Sequence, residues 1–278
     1  MERTLKQLLT ENNLKLKKAF GQNFLTDGAL LSEIVDKAGV TAGDRVLEIG
    51  CGAGALTVKL SEKAERVVAY EIDERLKPIL RETLSDRDNV KVVFKDVMKE
   101  KISAIENAIG GKYKMVANLP YYITTPIVMK FLENAENLTS MSIMVQKEVA
   151  ERFSAKPSTS DYGAITVGIN LRGTAKTVLA VPREKFTPVP NVDSAVVRID
   201  IEKDKFSCDL AAVRDTVRVG FSGRRKMLVN NLMNGFKLNR ERAETALIKA
   251  DVPLTARAEN LSAEDFVRLT AALKEIKG

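Results

Sequence analysis

Between residues 45 and 146, short apolar runs rich in β-branched side chains alternate with segments in which apolar positions recur every three or four residues. The runs Arg45–Ile49, Arg66–Glu71, Val90–Lys95, Tyr113–Asn118 and Met141–Gln146 predict strands. The intervening segments Ala55–Lys63, Asp73–Leu84, Thr125–Glu133 and Lys147–Phe153 predict helices. Such alternation reads as βαβ units and a doubly wound α/β sheet. Two further strand-like runs, Ala164–Leu171 and Ser194–Ile201, extend it to about seven strands, mostly parallel with an antiparallel edge.

Beyond Ile201 the period becomes helical throughout. Leu210, Val213, Val217 and Phe221 share one face, and Arg240–Lys249 forms a second stretch. Ser262 and Asp265 have the spacing of a capping box ahead of Phe266, Leu269, Leu273 and Ile276. The pattern therefore predicts a first domain over residues 1–205 and a small all-α domain over 206–278. Lys156–Ser160 is the most loop-like stretch within the first.

Composition mainly excludes. The 278 residues contain no histidine, and cysteine occurs only at positions 51 and 208. Ser-His and Cys-His nucleophilic catalysis, a histidine base and a Cys/His zinc site are therefore ruled out. Two distant cysteines make no disulfide framework, which favours a reducing compartment. Met1–Phe20 is polar and basic and fits neither a signal peptide nor a membrane span, and no window approaches the ~18 apolar residues needed to cross a bilayer. These features predict a cytoplasmic protein without a membrane partner. The 44 basic and 37 acidic side chains leave +7, a weak pointer to a polyanion.

The glycines of Gly50-Cys-Gly52-Ala-Gly54 follow a predicted strand and open a predicted helix, where backbone amides can approach a bound group closely. A tight strand-to-helix turn also requires glycine for purely structural reasons. Glu71 ends the next strand and can accept from ribose hydroxyls, and Asp96 ends the strand after it, within reach of an adenine edge. Both also fit as solvated carboxylates. A nicotinamide dinucleotide and S-adenosylmethionine each suit a glycine loop with a ribose-binding acid, and the Gly-x-Gly-x-Gly spacing leans toward the second.

The fourth strand runs into Asn118-Leu119-Pro120-Tyr121. An exocyclic adenine amine is a poor nucleophile because its lone pair is delocalised into the ring. A side-chain amide oxygen from Asn118 and a backbone carbonyl from Leu119 or Pro120 can hold its two N–H groups and turn the lone pair outward. That is positioning rather than proton abstraction. Tyr121 offers a face on which an extruded base can stack.

Asn118–Tyr121 after such a loop resembles the amino-methyltransferase motif of adenine methylases. Lys18–Leu25, Phe186–Ser194, Phe221–Lys226 and Arg257–Ser262 resemble further motifs of the ribosomal RNA adenine N6-dimethyltransferases, in the same order, over about residues 14–270. Within that family the similarity is nearest to the bacterial small-subunit branch. The resemblance implies a Rossmann-like, S-adenosylmethionine-dependent sheet and dimethylation of two adjacent adenines in a hairpin loop near the 3′ end of 16S rRNA, by a monomer acting on the small ribosomal subunit or its precursor. It implies that Asn23 and Leu25 close over the methionine end of the cofactor. Gly50 and Gly52 would line its backbone, Glu71 its ribose and Asp96 its adenine, with Asn118 between cofactor and target amine. Phe186 would face the flipped base opposite Tyr121; on its own residues it reads as a core or loop aromatic. Cys51 reads as a spacer and Cys208 as packing.

For RNA, Arg224, Arg225 and Lys226 are the first candidates, with Arg214, Arg218, Arg240 and Arg242 nearby in sequence and Lys15, Lys17 and Lys18 as a second group. A solvated charged face is the alternative. Gly223 is expected to interrupt the helix between these groups. Two other functions share much of this pattern: a resistance-type large-subunit rRNA adenine methylase, and a nucleic-acid-binding assembly factor that needs no catalysis.

Overall fold

The computed structural model describes residues 24–203 and 205–277. In chain order the elements are β1 (Phe24–Leu25), α1 (Gly28–Lys37), β2 (Arg45–Ile49), α2 (Ala55–Ser61), β3 (Arg66–Glu71), α3 (Lys77–Thr83), β4 (Val90–Phe94), α4 (Ile102–Ile109), β5 (Tyr113–Asn118), α5 (Thr124–Asn134), β6 (Leu138–Gln146), α6 (Lys147–Phe153), α7 (Ala164–Asn170), β7 (Gly173–Val181), β8 (Phe186–Thr187), β9 (Ser194–Ile201), α8 (Leu210–Gly220), α9 (Leu228–Phe236), α10 (Arg240–Lys249) and α11 (Ala263–Lys277). Seven strands form one sheet in the order β4-β3-β2-β5-β6-β9-β7. The pairs from β4 to β6 are parallel, and β9 runs antiparallel to β6.

The parallel strands read as nearly continuous apolar runs because helices cover the sheet. On one face Val46, Val67, Val116 and Met144 pack with Leu30, Ile34 and Val35 of α1 and with Leu56 and Leu60 of α2. Asp27 caps α1, accepting from the amides of Ala29 and Leu30 at 3.1 Å each. The helix predicted over Asp73–Leu84 opens instead with a tight turn at Glu74–Leu76, and α3 begins at Lys77 with Pro78 in its first turn.

One predicted element changes type. Ala164–Leu171 was expected as a strand from its β-branched content, yet Ala164–Asn170 is helix α7. Tyr162, Val167 and Leu171 are buried with Val213, Val217, Phe266 and Leu269 of the helical region. A β-branched residue loses only a few tenths of a kcal/mol in a helix, so this burial outweighs propensity. The Thr166 hydroxyl adds a first-turn bond, accepting from the Gly163 amide at 3.2 Å and donating to the Arg152 carbonyl at 2.7 Å. The seventh strand is β7, which the pattern did not single out.

One compact unit comprises the chain through Ala150 and Lys176–Ile201, and the other comprises Glu151–Ala175 with Glu202 onward. Residues 151–175, assigned to the first domain by their position in sequence, thus pack with the helices. In this second unit Ser262 and Asp265 close the expected capping box, their reciprocal bonds at 2.8 and 3.2 Å opening α11. Helix α8 ends at Gly220, three residues earlier than Gly223 suggested. Buried Asn231 donates to the Gly220 and Gly223 carbonyls at 2.6 and 3.1 Å, which satisfies that helix end from within.

Candidate active site

Sheet order sets the site. With β2 between β3 and β5, the chain leaves β2 toward one side and later returns on the other, so the carboxyl ends of β2 and β5 flank a topological switch point. Along that edge Asp96 follows β4, Glu71 ends β3, Gly50 follows β2 and Asn118 ends β5. Ile49 pairs with Tyr70 on one side and Ala117 on the other, which brings the four positions to neighbouring strand ends.

The glycine loop has left-handed backbone at Gly50, Gly52 and Gly54, with φ of 75°, 56° and 89°. A Cβ on Gly52 would lie 3.0 Å from Cε1 of Phe24, and one on Gly54 would lie 3.1 Å from Cδ2 of Leu80 and 3.3 Å from Cγ2 of Thr83. A Cβ on Gly50 would lie 3.6 Å from the Asn118 carbonyl oxygen, which shows how closely the loop approaches the end of β5.

Glu71 is buried and tied to this loop. Its Oε2 accepts from the Gly52 amide at 2.8 Å, and its Oε1 accepts from the amides of Ile72 and Asp73 at 2.8 Å each. Burial holds its carboxyl above the usual carboxylate range, against the pull of these three donors. Two lone-pair sites per oxygen leave room for a further donor such as a ribose hydroxyl. Glu48, which the sequence reading left out, lies near the end of β2 with 1% exposure, and its Oε2 meets no hydrogen-bond partner. Burial pushes this carboxyl up to about 8, with the Thr57 hydroxyl pulling down and the Glu71 charge adding to the rise.

At the end of β5 the Pro120 carbonyl is already engaged, accepting from the Ile123 amide at 3.1 Å and the Thr124 hydroxyl at 3.2 Å. Leu119, the other backbone acceptor considered from sequence, is 3% exposed. Tyr121 is half-buried, and its hydroxyl lies 2.9 Å from that of Ser194. Tyr122, to which the sequence reading assigned no role, is 66% exposed.

Two distant motifs close around the loop. Phe24 and Leu25 pair antiparallel with Thr187 and Phe186. Phe24 packs with Cys51, Ala53 and Leu80, and Lys185 binds the capping Asp27 at 2.6 Å. Leu25 is buried. Asn23, Lys15, Lys17 and Lys18 lie outside the described residues.

Phe186 pairs with Leu25, is 2% exposed and packs with Leu25, Leu30, Val181 and Val196. Cys51 is buried, and burial followed by the Glu48 and Glu71 charges raises its thiol pKa, which leaves it unsuited to nucleophilic work. Cys208 is half-buried, and its thiol is also raised by burial.

The cationic candidates divide. The Arg224 guanidinium donates to the Ser160 carbonyl and to the Tyr162 carbonyl at 3.4 Å and pairs with Glu259 at 3.5 Å, so it braces its own unit. Arg240 pairs with Glu244 at 2.7 Å, Arg218 pairs with Asp215 at 3.2 Å, and Arg242 donates to the Ile276 carbonyl at 2.8 Å. Arg225 and Lys226 are exposed and make no side-chain ion pair among the described residues. Among the described residues no helix is long and apolar enough to cross a membrane.

Residues 13–275 match the family described as ribosomal RNA adenine dimethylase. The chain is 44% identical to a ribosomal RNA small subunit methyltransferase A of Bacillus licheniformis, over 98% of this chain and 96% of that one. It is also 44% identical to the protein of the same name in Streptococcus thermophilus, over 97% and 96%. Among solved structures it is similar to a dimethyladenosine transferase of Plasmodium falciparum (TM-score 0.79, 26% identity, 91% of this chain and 98% of that one). It is also similar to the 23S rRNA methyltransferase ErmE (TM-score 0.69, 32% identity, 91% and 100%).

Proposed function

The chain belongs to the ribosomal RNA adenine dimethylase family, and on that footing we propose that it dimethylates the 6-amino groups of two adjacent adenines in a hairpin loop near the 3′ end of 16S rRNA. S-adenosylmethionine supplies the sulfonium methyl group. The observation that carries the reading is the row of Asp96, Glu71, the glycine loop and Asn118 along four adjacent strand ends, together with 42–44% identity to small-subunit methyltransferases over nearly the whole chain.

The residues fit that cofactor. The loop has left-handed backbone at Gly50, Gly52 and Gly54 and stands at the carboxyl end of β2, where its backbone can approach a bound group. Glu71 retains acceptor capacity for the ribose, and Asp96 is placed for the adenine. Asn118 and the Leu119 carbonyl accept the two N–H groups of the target amine and turn its lone pair toward the methyl-bearing end of the site. Tyr121 supplies a stacking face. Its hydrogen bond to Ser194 orients the ring. The proton passes to solvent water only after the C–N bond has formed, when the N–H has become strongly acidic, so no histidine is needed.

Arg225 and Lys226 contact RNA phosphates, which position the particle while the pocket selects adenine. The enzyme works as a monomer in the cytoplasm on the small subunit or its precursor and takes part in ribosome biogenesis.

A resistance-type large-subunit methylase shares the chemistry, and ErmE shares the fold at 32% identity. The higher identity to small-subunit enzymes favours the first reading. The test is to incubate undermethylated small subunits, and separately large-subunit RNA, with labelled S-adenosylmethionine and map the modified nucleosides. Dimethyladenosine at two adjacent small-subunit positions is expected. Label confined to large-subunit RNA would overturn the reading.

A further inference from the structure

Lys130 lies on α5, the helix that follows the Asn118–Tyr121 segment. Its ammonium donates to three backbone carbonyls of one loop: Val97 at 2.9 Å, Met98 at 2.8 Å and Glu100 at 2.6 Å. An ammonium has three protons, so its whole donor capacity is spent on carbonyls within four consecutive residues. None of these partners is a carboxylate. A solvated surface lysine would be held by water or an exposed acid, whereas this one is half-buried and its charge is met by oriented peptide dipoles.

The loop begins at Asp96. Asp96 Oδ1 accepts from the Met98 amide at 2.9 Å, and the Asp96 carbonyl accepts from the Lys99 amide at 3.0 Å. The turn is thus pinned by Asp96 at its start and by Lys130 through its carbonyls. At the other end of α5 the Thr124 hydroxyl binds the Pro120 carbonyl, two residues beyond Asn118. A continuous set of bonds therefore runs from Asp96 through Lys130 and α5 to the Asn118–Tyr121 segment.

We propose that Lys130 is a positioning residue that couples the cofactor-adenine end of the site, at Asp96, to the amine-holding end, at Asn118. This rests on the roles given to Asp96 and Asn118 above. Charge-assisted bonds are roughly twice as strong as neutral ones, and here three converge on one atom. With a methionine at 130 the carbonyls turn to water and the turn loses its external anchor, while the apolar stem is retained.

The experiment is a double-mutant cycle read by calorimetric titration of S-adenosylmethionine into the full chain, using Lys130→Met, Asp96→Ala and the double variant, each checked for native circular dichroism. Lys130→Met is expected to weaken cofactor binding about tenfold, as loss of a charge-assisted network implies. The double variant should bind no more weakly than Asp96→Ala alone, because Lys130 acts through Asp96. Lys130→Arg keeps the charge and should recover part of the loss. Unchanged affinity in a folded Lys130→Met protein, or losses that simply add, would overturn the proposal; a purely structural lysine gives one or the other. If Lys130→Met does not fold, the same cycle is run with Lys130→Arg, whose smaller loss must likewise vanish in the Asp96→Ala background. If the unaltered protein binds no cofactor, the functional reading fails instead. The anchor is then read separately from hydrogen exchange at the Met98 and Lys99 amides, which should quicken in Lys130→Met.

Discussion

The Tyr121 hydroxyl lies 2.9 Å from the Ser194 hydroxyl, joining the segment after β5 to the first residue of β9 across 73 positions of sequence. Ser194 is 1% exposed, so the bond is made on the buried edge of the tyrosine. The ring is held by its hydroxyl edge. Ser194→Ala should raise the KM for RNA several-fold, leave S-adenosylmethionine affinity unchanged and cost about 1 kcal/mol of stability. Tyr121→Phe should behave alike, and combining the two should add little. Steady-state kinetics with each substrate varied in turn decides it; a change confined to the cofactor KM would sink the idea.

Asn118 ends β5 beside the glycine loop, where a Cβ on Gly50 would lie 3.6 Å from its carbonyl oxygen. Asn118→Ala removes one of two acceptors for the amine and should lower kcat by about 10²-fold or more, the scale seen when a preorganised polar group is lost. Cofactor binding should stay close to that of the unaltered protein. Single-turnover methylation with a parallel binding titration checks both, and full activity would refute the role.

Buried Glu48 gives a pH dependence whose sign is fixed. Its carboxyl titrates near 8 in the fold against an ordinary 4.5. The folded state therefore holds a proton that the unfolded chain releases, and stability falls as pH rises from about 4.5 to about 8. Glu48→Gln mimics the neutral form and should flatten that slope. Thermal unfolding from pH 5 to 9 should show the variant gaining on the parent toward alkaline pH; parallel curves would remove Glu48 as the source.

Gly54 opens α2 with φ of 89°, and a Cβ there would press on Leu80 and Thr83. Gly54→Ala should cost about 1–3 kcal/mol, the scale of a forced left-handed residue, and weaken cofactor binding with it. Denaturant titration and calorimetry measure the two effects. A neutral outcome would mean that the loop can relax.

The cationic residues separate by what holds them. Arg225→Ala combined with Lys226→Ala should weaken binding to small subunits and reduce the salt slope by about 2, one for each lost phosphate contact. Arg224→Ala should chiefly lower thermal stability, since its guanidinium serves Ser160, Tyr162 and Glu259. Binding across a salt series distinguishes the Arg225–Lys226 pair from Arg224.

Much of this was legible because local chemistry and tertiary need coincide. A parallel strand buried on both faces must be a short apolar run, so β2, β3, β5 and β6 stand out in the sequence. Glycine is needed where the loop has left-handed backbone, and acids stand out at strand ends. The failures have a common cause. Ala164–Leu171 has the composition of a strand and becomes α7 because Tyr162, Val167 and Leu171 find a helical core to enter. Lys130 leaves no mark in the sequence, since a lysine on an amphipathic helix looks like any solvated charge.

Alone, the sequence determined the α/β class and marked the glycine loop, the acids that follow it and the Asn118–Tyr121 segment, because each is written in residues adjacent along the chain. The same reading showed that no histidine was available and that the chemistry did not require one. Only the tertiary structure decided which of these motifs meet. Strand order lines up Asp96, Glu71, Gly50 and Asn118, and long-range bonds choose Ser194 as the partner of Tyr121 and Lys130 as the clamp on the turn after Asp96. The physical reason is that a side chain's role follows from which donors and acceptors remain unpaired around it, and that is settled by packing between segments far apart in sequence.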